Sequence, residues 1–257
     1  MSSTSTEISM QQKKFIESTR VIIDMLKNRL SLNTKEQYMD YVDSEMTFIE
    51  YKKNLSGVKN KPDNYTIPKK LESLQDMSNE KIWRKHFKND SDNNYAIFDG
   101  ILDSDGNETL FIANFLSGGK QIIKDIKEKL NLKSDHKDIK KLLEDADNKE
   151  KHIIYLCDNC PDIEKLFQNS KYIEYHNSQK SFYNVTKYKF CPKSIIHIKK
   201  CLAKDFFSFF NTDGKKDPII ARNDPLTIYY QGLPGDMFIL YRPDEFAYRV
   251  VSKVLRE

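Results

Sequence analysis

The sequence predicts an α/β (α+β) fold, and three features of its pattern carry that prediction. Two runs near the start repeat apolar residues at helical spacing, the middle of the chain alternates β-rich and helical runs, and the C-terminal part holds two further β-rich runs beside a short helix. We therefore predict an N-terminal helical hairpin with an α/β sheet domain, and a small C-terminal mixed α/β domain. The predicted ranges are 1–12 for a flexible tail, 13–178 for the N-terminal domain and 179–257 for the C-terminal domain.

The helical hairpin rests on two amphipathic runs. In FIESTRVIIDMLKNRLSL the apolar residues from Phe15 to Leu30 fall on one helical face. Asn33 or Thr34 can cap a second helix, whose predicted buried stripe is Tyr38, Val42, Met46 and Ile49. The polar residues 55–79, with one glycine and two prolines, predict a loop. EKIWRKHF, which carries the only tryptophan, is predicted as a short helical or extended connection.

Residues 95–176 predict the α/β sheet unit. NYAIFDGIL and ETLFIANFL are short β-rich runs around DSDGN, in which Asp105-Gly106 is a strong hairpin signal. GGKQIIKDIKEKLNL and HKDIKKLLEDAD predict helices, and KHIIYLCDN is the near-continuous apolar run expected of a strand buried on both faces. PDIEKLFQ opens with Pro161 at a favourable first helical position, and YIEYH is the last predicted strand of the unit.

The C-terminal domain is predicted to begin after the polar, aperiodic residues 177–180. SFYNVTKYKFCP predicts extended chain, and HIKKCLAKDFFSFF predicts a helix with Ile198 among its inward-facing residues. Asp224 is the expected N-cap and Pro225 the first residue of a short helix that ends near Gly232. The Pro-Gly pair at 234–235 predicts a turn, and DMFILYR and AYRVVSKVL predict the two strands of this domain.

Composition limits the possible classes of protein. The 257 residues are 39% hydrophobic and 12% aromatic, which is enough apolar surface for packed cores. The net charge of +4 is too mild for a strongly basic nucleic-acid binder, so any contact with DNA or RNA requires a local patch. No run approaches the roughly 20 apolar residues that span a bilayer, and the first residues lack the apolar core of a signal peptide. We therefore expect an intracellular protein with reduced cysteines.

Motifs for cofactor, metal or redox chemistry are weak. CDNC at 157–160 spaces two cysteines as in zinc or redox sites, but there is no second such pair, so packing of Cys157 and Cys160 is the favoured interpretation. SGGK at 117–120 lacks the outer glycine and the Lys-Ser/Thr ending of a phosphate loop. Its backbone amides could still bind a phosphate of DNA.

A metal-dependent nuclease stays open as an alternative, because several carboxylates lie near predicted strand ends. Two acidic residues and a lysine would have to converge on Mg²⁺ at a sheet edge, and the candidates are Asp99, Asp103 and Glu108. Two Asp-x-Lys strings, at 125–127 and 138–140, fall on predicted helices instead, so they do not supply the expected geometry.

Two segments are locally basic. Residues 118–141 contain eight lysines against four acids, and residues 181–200 contain five lysines and no acid. Such a run is usually a solvated face. Lys120, Lys124 and Lys127 could nevertheless neutralise DNA phosphates without reading sequence, and the second segment could face an acidic protein partner.

The segment ARNDPLTIYYQGLPGDMFILYRPDE, residues 221–245, resembles the C-terminal signature of subunit 5 of eukaryotic-type DNA-dependent RNA polymerases and of its shorter archaeal counterpart. The family pattern is Asp-Pro, three residues, an aromatic pair, a glycine-bearing turn, a hydrophobic strand and Arg-Pro. The residues that fall on this pattern are Asp224, Pro225, Tyr229, Tyr230, Gly235, Arg242, Pro243 and Glu245. Upstream, Asn184, Thr186 and Pro192 match the family segment in which Asn-Ile-Thr precedes a proline and a hydrophobic strand.

The resemblance is weaker in the N-terminal two thirds, where the two opening helices and KHIIYLCDNCPDIEKLF carry it. It implies a nuclease-like α/β topology without nuclease chemistry in that domain. Three positions depart from the family: Ile228 replaces an arginine, Gln231 a glycine and Ile239 a positive residue. The divergence and the Asn/Lys/Ile/Tyr-rich composition fit a polymerase of a large nucleocytoplasmic DNA virus, or of an AT-rich eukaryotic genome.

The resemblance implies a non-catalytic polymerase subunit. The C-terminal domain would dock on the largest polymerase subunit through the matching residues, and the N-terminal domain would form part of the lower jaw beside downstream double-stranded DNA. Catalytic residues, metal and cofactor would belong to the large subunits, and we expect neither a membrane nor a small-molecule substrate as partner. The chain would reside in the virion and host cytoplasm if viral and in the nucleus if cellular. A scaffold protein that carries the C-terminal module is the second alternative.

Overall fold

The α/β fold predicted from the sequence is confirmed by a computed structural model of the chain. The structure describes residues 8–90, 93–115, 120–133, 135–158, 160–167, 170–181, 183–189, 191–192, 194–199, 219–222, 224–242 and 248–254. The described helices are α1 (Met10–Asn28), α2 (Lys35–Asp43), α3 (Phe48–Lys53), α4 (Lys69–Glu72), α5 (Asn79–His86), α6 (Lys120–Leu130), α7 (Ile139–Asn148), α8 (Pro161–Phe167), α9 (Ser178–Ser181) and α10 (Pro225–Tyr229). The described strands are β1 (Ser31–Leu32), β2 (Lys88–Asp90), β3 (Asn93–Leu102), β4 (Glu108–Asn114), β5 (His152–Cys157), β6 (Ile173–Asn177), β7 (Ser194–Ile198), β8 (Ile219–Ile220), β9 (Met237–Arg242) and β10 (Tyr248–Val254).

The chain divides into two compact units that differ from the predicted domains. The first unit combines Met1–Asp24 with Thr66–Tyr183, and the second combines Met25–Tyr65 with Asn184–Glu257. Residues 25–65 fall in the second unit because β1 pairs in parallel with β7, with Ser31 opposite His197. The predicted tail 1–12 also differs from the structure, since α1 begins at Met10 and the side chain of Ile8 is buried.

The first unit is built on a five-stranded mixed sheet in the order β2-β3-β4-β5-β6. β3 and β4 form the predicted antiparallel hairpin, in which Gly106 adopts a φ of 82°. β4, β5 and β6 are parallel, and β5 between them is buried from Ile153 to Cys157, as its continuous apolar run predicts. Helices α6 and α7 bury their apolar faces in the core on this sheet.

Aromatic residues form a second apolar cluster in the first unit. Trp83 of α5 stacks on Phe87 with ring centroids 4.6 Å apart, and Phe115 packs edge-on against Trp83 at 5.6 Å. Phe15 of α1 meets both Phe87 and Phe115 edge-on. EKIWRKHF is therefore helical, because the face that carries Ile82 and Trp83 is buried.

The second unit holds the other five-stranded sheet, in the order β1-β7-β9-β10-β8. β9 lies between β7 and β10 and is antiparallel to both. The predicted helix HIKKCLAKDFFSFF is wrong at its start, since His197 and Ile198 belong to β7. Most of its remaining residues lie outside the described ones. The predicted extended run after residue 181 is also wrong, since Val185–Lys187 form a 3-10 helix.

The second predicted helix is two helices. Thr34 caps α2 and Thr47 caps α3, each in a capping box, and Glu45 between them has a φ of 53° that interrupts the helix. The predicted stripe beyond Tyr38 is wrong: Val42, near the end of α2, and Met46 and Ile49, beyond the break, are all exposed. The buried tyrosines are Tyr38 and Tyr51, which pack with β7 and β9 residues.

The predicted loop 55–79 contains local structure. It includes the 3-10 helices Leu55–Gly57 and Ser73–Asp76 as well as α4. Within the second unit Ser31 forms a β-bridge with Asp63, and within the first unit Thr66 forms one with Leu102. Among the helices that the structure describes, none is long and apolar enough to cross a membrane.

Candidate partner and DNA interfaces

The C-terminal motif begins with a capped helix, as predicted. The Asp224 carboxylate accepts a hydrogen bond from the backbone N–H of Leu226 at 2.8 Å, and Pro225 occupies the first turn of α10. Proline suits this position because the first helical N–H groups have no partner within the helix. The side chain of Pro225 is exposed, so this end of α10 is accessible on the free chain.

The tyrosine pair is buried inside the second unit. Tyr229 and Tyr230 are each 4% exposed, and the Tyr230 ring meets Phe238 of β9 edge-on at 5.7 Å. Burial raises the pKa of the Tyr230 hydroxyl above its usual range. These two predicted interface residues therefore anchor α10 to the sheet, and their side chains are not available on the surface of the chain.

The turn after the tyrosine pair depends on unusual backbone angles. Gln231 has a φ of 52° and Gly235 a φ of 99°, both in the region that favours glycine. Gly232 is confined as well, because a Cβ there would come within 2.9 Å of Thr227 Cγ2. Arg242 ends β9 opposite Tyr248, and Pro243 lies outside the described residues.

The upstream matching residues surround a short turn before β7. The Asn184 side-chain oxygen accepts hydrogen bonds from the backbone N–H of Thr186 at 3.0 Å and from its hydroxyl at 2.6 Å. Thr186 is exposed, Asn184 is half-buried and Pro192 is buried. Of these three, Thr186 is the side chain most accessible to a partner.

A buried polar group that the sequence analysis missed holds the second unit together. His197 Nδ1 lies 2.7 Å from the Ser31 hydroxyl and Nε2 lies 3.1 Å from an Asp236 carboxylate oxygen. All three side chains are at most 5% exposed. A carboxylate can only accept, so Nε2 donates to Asp236, and Nδ1 forms the second hydrogen bond with the Ser31 hydroxyl. The three side chains are arranged like a Ser-His-Asp catalytic relay. Because they are buried, we interpret them as a structural connection between β1, β7 and the turn before β9.

The predicted DNA-contacting lysines lie on or near one face of α6 but differ in exposure. Lys120 and Lys124 are exposed, whereas Lys127 is half-buried and donates to the backbone oxygen of His136 at 2.7 Å. The Lys127 side chain therefore binds the segment that follows α6 within the chain itself. The preceding glycines of the SGGK segment lie outside the described residues.

A basic face on α5 was also missed by the sequence analysis. Lys81, Arg84 and Lys85 are exposed at i, i+3 and i+4 of this helix, and they line a shallow groove of about 460 Å³ together with Ser78 and Glu80. Burial, followed by the charges of Lys85 and Lys70, lowers the pKa of His86 at the end of the helix. The sequence EKIWRKHF contains the information for this face: burial of the tryptophan side of the helix places the cations on its exposed side.

The carboxylates considered for a nuclease site have separate structural partners. Asp99 pairs with Lys129, and Asp125 pairs with Lys88 and accepts from the Tyr95 hydroxyl at 2.8 Å. Asp103 accepts backbone N–H groups of the β3–β4 turn. Glu108 is exposed at the start of β4, and Asp138 caps α7.

Side chains that commonly bind metals do not form a site in the described part of the chain. Within those ranges, no three His, Cys, Asp or Glu side chains are arranged to hold a metal ion. Cys157 is buried at the end of β5 and Cys160 is half-buried before α8, and both are free thiols. The predicted packing role of Cys157 agrees with this burial.

Comparison with known proteins adds no assignment: neither models of protein families nor the curated proteins give a match to this chain.

Proposed function

We propose that this chain is a non-catalytic subunit of a multisubunit DNA-dependent RNA polymerase, similar to subunit 5. Its second unit docks on the largest subunit, and its first unit flanks downstream DNA without reading the sequence. The observation that carries the proposal is the structure of the C-terminal motif. Its residues form a capped helix, a glycine turn and a central strand in unbroken succession from Asp224 to Arg242.

The roles of the motif residues support a shared module. Asp224 caps the helix, Tyr229 and Tyr230 fasten it to the sheet, and Gly235 turns the chain into β9. Gln231 departs from the family glycine, yet it keeps a φ of 52° that glycine adopts without strain. Asp224, Tyr229, Tyr230 and Gly235 thus have roles in the fold, which is what the proposal of a shared module expects.

Docking then uses the exposed part of the motif. Thr186 and Pro225 are exposed, whereas Tyr229 and Tyr230 are buried and support α10 from within the unit. The proposed location is inside the cell, in the compartment or virion that holds the polymerase.

The first unit carries two separate sets of exposed cations that we propose as contacts to DNA phosphates. Lys120 and Lys124 lie on α6, and Lys81, Arg84 and Lys85 lie on α5. Lys88, just beyond α5, pairs with Asp125 of α6 and is thereby partly neutralised. Exposed cations of this kind hold a phosphate backbone in a salt-dependent, sequence-blind manner.

Affinity purification of the tagged full chain from its native source tests the docking proposal. We expect the two large polymerase subunits to be recovered with it, and their absence would refute the proposal. Thr186→Arg should reduce that recovery about tenfold, which corresponds to a loss of roughly 1.4 kcal/mol in the free energy of binding. Ser56→Arg, on another exposed position of the second unit, is the matched control and should leave recovery unchanged.

Charge reversal tests the DNA surface in the purified polymerase. Changing Lys81, Arg84 and Lys85 together to Glu should weaken DNA retention and reduce the salt dependence by about one unit for each phosphate that is no longer bound. Reversal of Lys120 and Lys124 tests the second set in the same assay. The control reverses the exposed lysines Lys133, Lys137 and Lys141. Equal effects of all three variants would show a general charge effect and remove the proposed surface.

A further inference from the structure

Cys157 and Cys160 form a contact group that the proposed polymerase role does not use. Cys157 is the last residue of β5 and is fully buried, while Cys160 is half-buried. The backbone oxygen of Cys160 accepts from the N–H groups of Ile163 and Glu164 at 3.0 Å, which fixes Cys160 at the start of α8.

The hydroxyl of Tyr175, on the neighbouring strand β6, connects the two cysteines. It accepts a hydrogen bond from the backbone N–H of Cys160 at 3.1 Å and lies 3.4 Å from the sulfur of Cys157. Since its oxygen accepts from Cys160, its O–H can donate to the Cys157 sulfur. One hydroxyl therefore holds the strand end and the helix start together.

The shared Tyr175 hydroxyl places the Cys157 sulfur beside the backbone of Cys160. The neighbouring Cys157 thiol lowers the pKa of Cys160, against burial and the charges of Asp158 and Asp162. The neighbouring Cys160 thiol, followed by burial, raises the pKa of Cys157. The more exposed sulfur is thus also the one whose thiolate is favoured, and the thiolate is the nucleophile in disulfide exchange.

We propose that Cys157 and Cys160 form a reversible intramolecular disulfide by exchange with a low-molecular-weight disulfide. The Cys160 sulfur attacks one sulfur of that disulfide, whose S–S bond breaks, and the first leaving thiolate takes up the Cys160 proton. Cys157 then attacks the Cys160 sulfur of the mixed disulfide and displaces the second small thiol, which takes up the Cys157 proton. Two electrons pass from the protein dithiol to the small disulfide, which leaves as two thiols.

The order of attack follows from burial. Cys157 is shielded at the end of a strand that is buried on both faces, so an external disulfide reaches Cys160 first. Cys157 can act only as the resolving thiol, from within the protein. The proposal concerns the first unit alone and does not rest on the polymerase assignment.

Incubation of the reduced full chain with oxidised and reduced glutathione at a series of ratios tests the exchange. Unreacted thiols are blocked by alkylation, and the peptides are identified by mass spectrometry. We expect Cys157 and Cys160 to become protected from alkylation together. The peptide that contains both should lose the mass of two hydrogens, and reduction should restore both free thiols in full. Glutathione retained on single cysteines of the wild-type chain without this cross-link would overturn the proposal.

Single variants separate the two roles. Cys157→Ser should trap one glutathione on Cys160, whereas Cys160→Ser should take up none at Cys157. Cys191→Ser is the matched control and should leave the cross-link unchanged. Glutathione on Cys157 in the Cys160→Ser chain would contradict the order of attack. The wild-type measurement tests the proposal without any variant. The proposal therefore remains refutable even where a variant fails to fold.

Discussion

Replacing Asp236 by Ala is predicted to loosen the centre of the second unit. The Asp236 carboxylate accepts from His197 Nε2 at 3.1 Å and from the backbone N–H of Leu233 at 2.7 Å. The side chain is 5% exposed, so water does not replace these acceptors without a rearrangement. Asp236→Ala therefore removes the acceptor of the buried His197 Nε2 and of the partly buried N–H of Leu233, and a buried unpaired donor costs about 1–3 kcal/mol. Allowing for partial relaxation around the smaller side chain, we expect a loss of about 3 kcal/mol.

Hydrogen exchange measured by mass spectrometry localises the effect. Peptides that contain β7 and β9 should lose protection by about two orders of magnitude, the equivalent of roughly 3 kcal/mol. Asp224→Ala serves as the comparison, because it removes one hydrogen bond at a half-buried helix cap and should cost about 1 kcal/mol. Unchanged protection of β7 and β9 in Asp236→Ala, or an effect no larger than that of Asp224→Ala, would refute the proposed role of the buried network.

Four further substitutions address backbone strain, pH dependence and burial in the second unit. Gln231→Gly should raise the unfolding free energy, measured by urea titration, by about 0.5 kcal/mol. The backbone strain relieved at a φ of 52° exceeds the cost of the conformational entropy that glycine adds to the unfolded chain. Burial lowers the pKa of Lys52 from 10.5 to about 8, so the unfolded chain binds more protons between these values and stability should rise by about 1 kcal/mol from pH 7 to pH 9. Lys52→Met should abolish that rise in urea titrations at the two pH values, and an unchanged rise would exclude Lys52 as its source. Ile49→Ala, on a side chain 51% exposed, should change stability by less than about 0.5 kcal/mol, whereas Tyr51→Ala, at 2% exposed, should cost about 3 kcal/mol by thermal unfolding.

Local signals in the sequence predicted several elements in the described parts of both units. The Asp105-Gly106 hairpin, the caps of α2 and α10 and the buried strand β5 depend on residues close in sequence, and all are confirmed. The break between α2 and α3 was not predictable from apolar spacing. It depends on the positive φ of Glu45, which a residue of this type rarely adopts.

The organisation of the second unit depended on contacts distant in sequence. The run that contains His197 has helical spacing when read alone, but pairing of β7 with both β1 and β9 makes it a strand. The same pairing brings residues 25–65 to the C-terminal part of the chain and places Ser31 beside His197. No local pattern contains this information, so both the domain division and the buried network were missed.

The interface residues were predicted as a set, but burial separates them into two groups with different roles. Tyr229, Tyr230 and Pro192 are buried and maintain the shape of the second unit, while Thr186 and Pro225 are exposed. A sequence motif cannot make this distinction, because folding and docking residues occur in the same pattern. Substitution of a buried motif residue would therefore impair docking through the fold, and only the exposed residues test the contact itself.

The departure at Ile239 has a physical reason in this chain. Ile239 is fully buried in the core that Tyr38 and Tyr51 share with β7 and β9, so a charged side chain there would need a buried partner. On the other face of β9, Phe238 stacks on His197 at 4.8 Å. Both faces of the central strand are thus covered by the second unit itself. Ile239 is therefore not accessible to a docking partner, and the proposed docking is tested at the exposed motif residues Thr186 and Pro225.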